Sequence, residues 1–350
     1  MTSVHTHDDV KNYYGEVLKT KADLQTTACC PTEAMEPYLR PLAARIADEI
    51  QTRFYGCGSP IPDGLEGCTV LDLGCGTGRD VYLASQLVGE TGRVIGIDMT
   101  EAQLETARRY EEIHRQRFGF EKSNVTFLSG YMEDLGRVGI LDESVDVAIS
   151  NCVLNLAPDK SAVFKEIFRV LKPGGELYFA DVFADRRLPK HMKTDPVLVG
   201  ECLGGAMYIQ DFRRLLAELG IRDYRVIASS PIHPNNPELE ARCGNVRFFS
   251  ITVRVFKLPE LEDRCEDYGQ VAWYKGTLPH RPHRFTLDDH HVFYTDKPMP
   301  VCSNTASMLQ DTRFKDHFRI DGTTDTHFGL FDCGPGDISS ADSDDVGACC

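Results

Sequence analysis

The chain has 350 residues, 42% hydrophobic and 26% charged, a balance typical of a globular protein that buries a substantial core. Its formal net charge of −15 at pH 7 argues against a broad phosphate-binding face, so we expect no nucleic-acid partner. Residues 1–14 are polar where a signal peptide would be apolar, and no apolar run reaches the roughly 20 residues of a membrane span. We therefore expect a cytoplasmic protein with no membrane partner.

From residue 69 onwards, short β-rich runs alternate with amphipathic stretches, a pattern typical of a parallel α/β sheet. The predicted strands are residues 69–73, 93–97, 124–128, 145–150 and 176–180. The predicted helices between them are residues 79–87, 101–118 and 160–171, with a tight turn at 173–175 before the fifth strand. In the long helix we expect Ala102, Ala107, Ile113 and Phe118 to face the sheet.

The regions on either side of this core are less regular. Before it, the sequence predicts helices at residues 10–18 and 38–54. After it, we expect a helix over 209–219 that Gly220 ends, and a strand over 246–256. Beyond residue 258 the pattern predicts only short strands near 271–274 and 291–295. The last twenty residues contain five aspartates and no lysine or arginine, which indicates a disordered tail.

A glycine-rich turn, Gly74, Gly76 and Gly78, lies between the first strand and the first helix. Such a turn brings backbone N–H groups close to a ligand. Arg79 stands where the dinucleotide fingerprint requires its third glycine, which leaves NAD as the second choice of cofactor. Asp98 ends the second strand, where a carboxylate can accept hydrogen bonds from both ribose hydroxyls.

The turn, Asp98 and the Leu-Lys-Pro-Gly-Gly segment before strand five resemble class I methyltransferases. The resemblance implies S-adenosylmethionine as the cofactor. It also implies that Asp72 orients the methionine end or the turn, and that Met99 packs against the adenine. Met132 and Glu133, just past the third strand, stand where that family holds the adenine ring.

Thirteen cysteines without any Cys-x-x-Cys spacing do not suggest a zinc site. Four of them, Cys29, Cys57, Cys152 and Cys202, stand in unusual settings. Cys152 lies just beyond the fourth strand, and open α/β sheets bind ligands outside the carboxyl ends of their strands. Its thiol should therefore face the transferred methyl group, and the loops of Cys57 and Cys202 can converge on the same edge.

Most of the other cysteines are expected to be small buried apolar residues, as free cysteines usually are. This group comprises Cys68, Cys75, Cys243, Cys265, Cys302 and Cys333. The histidines His280, His283, His290 and His291 are expected in surface loops.

The contexts of these cysteines resemble the arsenite methyltransferase family over about residues 10–258. The shared motifs, in chain order, are Tyr-Tyr-Gly, Asp-Leu-Gln-Thr, Tyr-Gly-Cys-Gly, Gly-Ile-Asp-Met, Ser-Asn-Cys-Val and Gly-Glu-Cys-Leu-Gly-Gly. The resemblance implies that Cys152 and Cys202 bind arsenic, that Cys57 joins as a third thiolate, and that Cys29 exchanges disulfides with Cys57. Tyr55 and Asn151 resemble cofactor contacts. Either Cys29 or Cys30 could be the N-terminal redox cysteine, and the 28-residue separation from Cys57 favours Cys29.

The implied chemistry suits these residues, because As(III) is soft and prefers thiolates to oxygen ligands. Three sulfurs leave the arsenic lone pair pointing away from them, so that it can attack a methyl group without a general base. The substrates would be arsenite and methylarsenite, the products mono- and dimethylated arsenicals, and the reductant thioredoxin or glutathione. We expect a monomer.

The sequence therefore predicts an α/β protein with a Rossmann-like class I methyltransferase core, a mainly parallel sheet, an arsenic-binding insertion and a small C-terminal α+β domain. The predicted divisions are an N-terminal segment (1–68), a cofactor-binding domain (69–184), an arsenite-binding region (185–258), a C-terminal domain (259–330) and the acidic tail (331–350). Two alternatives remain open: a methyltransferase of a small organic acceptor, and a non-enzymatic thiol-rich protein that binds arsenic.

Overall fold

A mixed sheet of eight strands forms the centre of the protein, for which a computed structural model describes residues 35–54, 56, 59–234 and 236–332. The strands are β1 (Thr69–Leu73), β2 (Arg93–Asp98), β3 (Val125–Ser129), β4 (Val145–Asn151), β5 (Leu171–Ala184), β6 (Met207–Tyr208), β7 (Arg225–Ile232) and β8 (Phe248–Phe256). The predicted helix at 10–18 and the tail from residue 333 lie outside the described residues, as do Cys29, Cys30, Tyr55 and Cys57.

The sheet has the order β3-β2-β1-β4-β5-β8-β7, and β6 pairs with the end of β5. Strands β1 to β5 are parallel, whereas β8 runs antiparallel to both β5 and β7. The central strand β1 has no exposed surface at Val70, Leu71 and Leu73, because apolar clusters cover both faces of the sheet. The prediction of a mainly parallel α/β core is confirmed.

Ten α-helices of the described chain lie before the C-terminal region. They are α1 (Leu39–Ala43), α2 (Asp48–Thr52), α3 (Arg79–Val88), α4 (Glu101–Arg109), α5 (Glu111–Phe118), α6 (Lys160–Val170), α7 (Lys190–Lys193), α8 (Pro196–Gly200), α9 (Ile209–Glu218) and α10 (Pro237–Cys243). The predicted helices that follow β1 and β4 are present with boundaries that differ by one residue. Within the described ranges, no helix has both the length and the apolar content needed to cross a bilayer.

The long helix predicted over 101–118 is wrong as a single element, because it breaks at Tyr110 into α4 and α5. The break places His114 inside, where its Nε2 accepts a hydrogen bond from the Ala47 N–H over 3.0 Å. Burial lowers the pKa of His114 to about 4, so the ring is neutral at pH 7 and can accept. Ala102 and Ile113, which were expected to face the sheet, are exposed.

The same contact explains why the predicted helix over 38–54 is two short helices instead of one. The chain leaves helical geometry at Ala47, the residue before α2, whose N–H bonds to His114. Gln51 donates to the carbonyls of Ala43 and Ile46 over 3.1 and 3.0 Å and so stabilises the connection. A tertiary contact has replaced the helical continuation that the sequence pattern favoured.

Strand β5 is longer than predicted, since it includes the expected turn at 173–175 as an irregularity. Leu171 pairs with Val145 and Glu176 with Val147, so the intervening residues bulge out of the ladder. Gly174 has a φ of +74°, and a Cβ there would lie 2.5 Å from the Asp311 carbonyl oxygen. The bulge is therefore one of the places where the C-terminal region touches the central sheet.

The C-terminal region has more regular structure than the sequence predicted. It contains β9 (Glu266–Asp267), β10 (Gln270–Tyr274), β11 (Arg284–Thr286), β12 (Val292–Tyr294), β13 (Pro298–Val301), α11 (Ser303–Gln310), β14 (Phe318–Asp321) and β15 (Gly329–Leu330). The two predicted strands are present as β10 and β12. A separate apolar cluster, rich in phenylalanine, forms the core of this region. His291 is buried and bonded to Asp288, which contradicts its expected place in a surface loop.

Candidate active site

The glycine turn between β1 and α3 has the geometry of a ligand cradle. Gly74, Gly76 and Gly78 have φ values of +71°, +52° and +87°, which side chains rarely adopt. A Cβ at Gly76 would meet no atom within 4 Å, so this glycine borders open space. A Cβ at Gly74 would instead lie 2.3 Å from Val153 Cγ1, which means that the turn packs directly on the residue after Cys152.

Asp98 closes the turn from the end of β2. Its carboxylate accepts hydrogen bonds from the N–H groups of Gly76 and Thr100, both over 2.8 Å. Burial raises the pKa of Asp98, while these two N–H groups act in the opposite direction. The carboxylate thus lies beside the turn, and its role toward a ribose stays a prediction.

Asp72, near the end of β1, is almost completely buried, and its Oδ2 has no hydrogen-bond partner among the described residues. Burial, together with the nearby carboxylates of Asp80 and Asp98, raises the pKa of Asp72 well above its usual value, and Arg79 only partly offsets this. Such a site favours a cationic ligand. S-adenosylmethionine carries a sulfonium and an ammonium group, so these residues fit it.

Asn151, the last residue of β4, is connected to the same carboxylates. Its amide donates to Asp80 Oδ2 over 3.1 Å, and Asp80 is paired with Arg79 at 2.6 Å. The Arg79 guanidinium stacks on the Phe54 ring, 3.2 Å from its centroid. A Cβ at Gly56 would lie 2.7 Å from Asn151 Cγ. Gly56, the residue between Tyr55 and Cys57 in the sequence, therefore lies beside Asn151.

The residues predicted to surround the adenine have mixed surroundings. Met99 is half-buried and packs on the apolar cluster that includes Cys202. Met132 packs against the main core beside β1, and Glu133 is half-buried next to it. Their role toward an adenine ring stays a prediction.

The two cysteines predicted to bind arsenic are in direct contact at the carboxyl edge of the sheet. Cys152 directly follows β4, and its N–H donates to the Ala180 carbonyl of β5 over 2.8 Å. The Cys202 thiol is 7% exposed and donates to the Cys152 carbonyl oxygen over 3.5 Å. Both residues have positive φ, +57° and +60°, which is strained for any residue with a Cβ.

Their oxidation states differ, because Cys202 is a thiol whereas Cys152 is disulfide-bonded. Cys265 is buried, as predicted, but it is disulfide-bonded and so is not the free thiol that was expected. Cys68, Cys75, Cys243 and Cys302 are buried thiols, as predicted.

Sequence reasoning missed the polar residues that connect the predicted ones. Asp80 belongs to the glycine motif itself, as its last residue, and could have been recognised there. Asp181 stands one residue beyond the predicted fifth strand, at the edge where ligands bind. Asn155, which bonds to Asp181, gave no signal of its own.

The site geometry predicts that Asp98→Ala weakens S-adenosylmethionine binding. Removing the carboxylate deletes the proposed ribose acceptor and frees the Gly76 N–H that orders the turn, so we expect the dissociation constant to rise about 10- to 100-fold. Calorimetric titration measures this, with Asp142→Ala, an exposed carboxylate far along the chain from the turn, as the control. An unchanged affinity in Asp98→Ala would contradict the assignment.

Comparison with sequence profiles divides the chain into two matched parts. The profile of a methyltransferase domain matches residues 65–220. The profile of the arsenite methyltransferase C-terminal domain matches residues 267–334. The second match covers most of the C-terminal region, in which the sequence pattern predicted only two short strands.

Whole-chain relatives agree with the profiles. The arsenite methyltransferase of Aquipseudomonas alcaligenes is 50% identical over 331 residues, which cover 94% of this chain and 95% of that protein. The arsenite methyltransferase of Homo sapiens is 44% identical over 315 residues, or 89% of this chain and 83% of that protein. The crystal structure of an arsenic (III) S-adenosylmethionine methyltransferase from Chlamydomonas reinhardtii superposes with a TM-score of 0.83 at 50% identity, and covers 85% of this chain and all of that one. The chain therefore belongs to the arsenite methyltransferase family and is an S-adenosylmethionine-dependent enzyme of the class I methyltransferase fold.

Proposed function

We propose that this chain transfers methyl groups from S-adenosylmethionine to trivalent arsenic held by Cys152, Cys202 and Cys57, and gives mono- and dimethylated arsenicals. One observation carries the proposal. Gly74 of the cofactor turn packs on Val153, the neighbour of Cys152, while the Cys202 thiol bonds to the Cys152 carbonyl. The methyl donor's cradle and two of the proposed arsenic ligands are thus adjacent.

The residues proposed to bind the cofactor are those around the turn. Gly74, Gly76, Gly78 and Asp98 would hold the nucleoside end, and Asp72 would face the cationic methionine end. Met99, Met132, Glu133, Tyr55 and Asn151 complete the proposed set. Bound there, S-adenosylmethionine supplies its methyl group as an electrophile on a sulfonium sulfur.

The proposed reaction needs no proton transfer at the acceptor. The arsenic lone pair forms the As–C bond, and the electron pair of the broken C–S bond stays on the departing sulfur. Arsenic is formally oxidised from As(III) to As(V) in this step. Two electrons from a cysteine pair, for which we propose Cys29 and Cys57, return it to As(III) and leave a disulfide, which thioredoxin or glutathione reduces.

The disulfide at Cys152 gives the reductant a further task. A sulfur in a disulfide has no thiolate electron pair for arsenic, so Cys152 must be reduced before it can serve as a ligand. A reducing compartment would keep Cys152 as a thiol, which supports the proposed cytoplasmic location. We further propose that the protein acts as a monomer.

The test is product speciation with purified protein, S-adenosylmethionine, arsenite and a dithiol. We expect methylarsenite first and dimethylated arsenic later, with no methylation of a demethylquinone offered in place of arsenite. Methylation of the quinone without any methylated arsenic would favour the organic-acceptor alternative. Arsenite binding without any methylated product would favour the non-enzymatic one.

Cys57→Ser is predicted to separate the two methylation steps. Arsenite can use three thiolates, whereas methylarsenite already has one carbon on arsenic and needs only two. In single-turnover assays, where the rate of one methyl transfer is measured before any reduction of arsenic by Cys29 and Cys57, we therefore expect the variant to lose methylation of arsenite by about tenfold or more and to keep most of its activity on methylarsenite. Equal losses on both substrates would contradict a third-ligand role for Cys57.

A further inference from the structure

Two polar residues beside the cysteine pair, Asn155 and Asp181, have no exposed surface, and the chemistry proposed above uses neither of them. Asn155 lies three residues after Cys152. Asp181 directly follows Ala180, whose carbonyl accepts the Cys152 N–H. Burial of a carboxylate costs free energy unless the group is well hydrogen-bonded. The presence of the buried Asp181 carboxylate at this edge of the sheet therefore needs a physical explanation.

Hydrogen bonds fasten the turn after Cys152 to the end of β5 through these two residues. The Asn155 side-chain amide donates to Asp181 Oδ1 over 2.7 Å and to the Val182 carbonyl over 2.5 Å. The Asn155 and Val182 N–H groups donate to Asp181 over 3.1 and 2.8 Å. Both oxygens of the Asp181 carboxylate therefore accept hydrogen bonds. Asn155 is held by the three hydrogen bonds that its backbone and side chain donate.

The segment that carries Cys202 rests on the same asparagine. Gly205, three residues after Cys202, approaches so closely that a Cβ there would lie 2.2 Å from the Asn155 carbonyl oxygen. Asn155 thus contacts the loop of one cysteine and belongs to the turn of the other. Because both cysteines have left-handed backbone conformations, which cost about 1–2 kcal/mol outside glycine, their surroundings must hold them in place.

We infer that Asn155, held by Asp181, is a positioning residue that sets the spacing of the Cys152 and Cys202 sulfurs for a single arsenic atom. The inference rests on the proposed function, since it takes arsenic as the ligand of this pair. Residues that orient metal ligands through hydrogen bonds commonly change affinity by about 10- to 100-fold when they are replaced.

The test uses the full-length, reduced protein and phenylarsine oxide as the probe. Two thiols condense with the probe's arsenic–oxygen group to give two As–S bonds and one water, with no change in oxidation state. We expect Asn155→Ser to raise the dissociation constant of the probe about tenfold or more. Gly205→Ala should do the same by pushing the Cys202 loop off Asn155. The affinity of both variants for S-adenosylmethionine should stay within about twofold of the wild type. General structural damage would weaken the binding of both the probe and S-adenosylmethionine.

Matched controls lie elsewhere in the fold. Asn124→Ser removes an amide that also donates to two carbonyls, those of Ser85 and Gly89, far from the cysteines. Gly136→Ala adds a Cβ where the nearest atom is 3.6 Å away. Both should bind the probe like the wild type. Cys202→Ser is the positive reference and should lose the tight binding.

The outcomes separate the two proposals. Wild-type affinity in Cys202→Ser would contradict the arsenic site itself. Loss in Cys202→Ser with wild-type affinity in both Asn155→Ser and Gly205→Ala would overturn the positioning role alone. If a variant fails to fold, the inference can be tested on the wild-type protein by NMR. The Asn155 side-chain amide resonance should shift when the probe binds, and an unmoved resonance counts against the inference.

Discussion

Cys202→Ser is expected to lower the methylation of arsenite by a factor of about 100 or more, equivalent to about 2.7 kcal/mol of transition-state stabilisation. Serine has nearly the same shape, and the Cys202 N–H bond to the Val199 carbonyl at 3.1 Å does not depend on the side chain. What changes is the donor atom, since a hard hydroxyl oxygen binds soft As(III) poorly. The measurement is initial-rate methylation with chromatographic separation of the arsenic species.

Cys243→Ser is the matched control for this result. Cys243 is also a buried thiol, 4% exposed, in the same apolar cluster as Cys202. Its replacement buries a hydroxyl and should cost about 1–3 kcal/mol of stability, yet leave the methylation rate unchanged at temperatures where the protein is folded. Turnover in Cys202→Ser that equals that of Cys243→Ser would remove Cys202 from the arsenic site.

The residues of the proposed site that could be recognised from the sequence are those whose positions local chemistry determines. The turn at Gly74–Gly78 follows from φ values that only glycine adopts easily, and Asp98 from its place at a strand end. Cys152 follows from the rule that ligands bind at the carboxyl edge of a parallel sheet. Each of these residues is recognisable from its immediate neighbours in the chain.

The connections between these residues were not predictable, because they depend on contacts between distant segments. The spacing of Asn155 and Gly205 in the chain does not indicate that they touch. Likewise, nothing near Tyr110 indicates that the helix breaks so that His114 can bond to Ala47. Long-range packing determines both features, and a single sequence does not contain those distances.

The C-terminal region illustrates a different limit. Its strands have two to five residues, too few for an alternating pattern to emerge. Helix α11 begins after Cys302, whose sulfur accepts the Thr305 N–H, instead of after a usual oxygen-bearing cap. Its first residues, serine, asparagine and threonine, also favour turns over helices. The fold of this region depends on its phenylalanine core, which joins residues from Phe256 to Phe318.

A buried charge cluster joins this C-terminal region to the central sheet, and Glu176→Gln is expected to destabilise the protein strongly. Glu176 has no exposed surface and is paired with Arg254 and, over 2.5 Å, with Arg313. The neutral amide would leave two guanidinium groups without their buried counter-charge. Removing one partner of a buried ion pair costs about 3–5 kcal/mol.

The surroundings of Arg254 explain why relaxation cannot relieve that cost. Its guanidinium lies among four aromatic rings, with centroids 5.4–5.9 Å away, and donates to the Leu287 carbonyl over 2.6 Å. Only 2% of its side chain is exposed, so water has little access to the cation. Because the aromatic rings belong to both the sheet and the C-terminal region, the variant should loosen the contact between them.

Two measurements check this prediction, the denaturant midpoint and the rate of limited proteolysis in residues 257–265, which connect β8 to β9. We expect a lower midpoint and faster cleavage in that connection. Glu238→Gln is the control, because its pair with Arg242 is 78% exposed on the glutamate side and such surface pairs contribute less than about 1 kcal/mol. A Glu176→Gln variant as stable as Glu238→Gln would show that the C-terminal region is held by its apolar contacts, such as Gly64 against Phe314, without need of the buried charges.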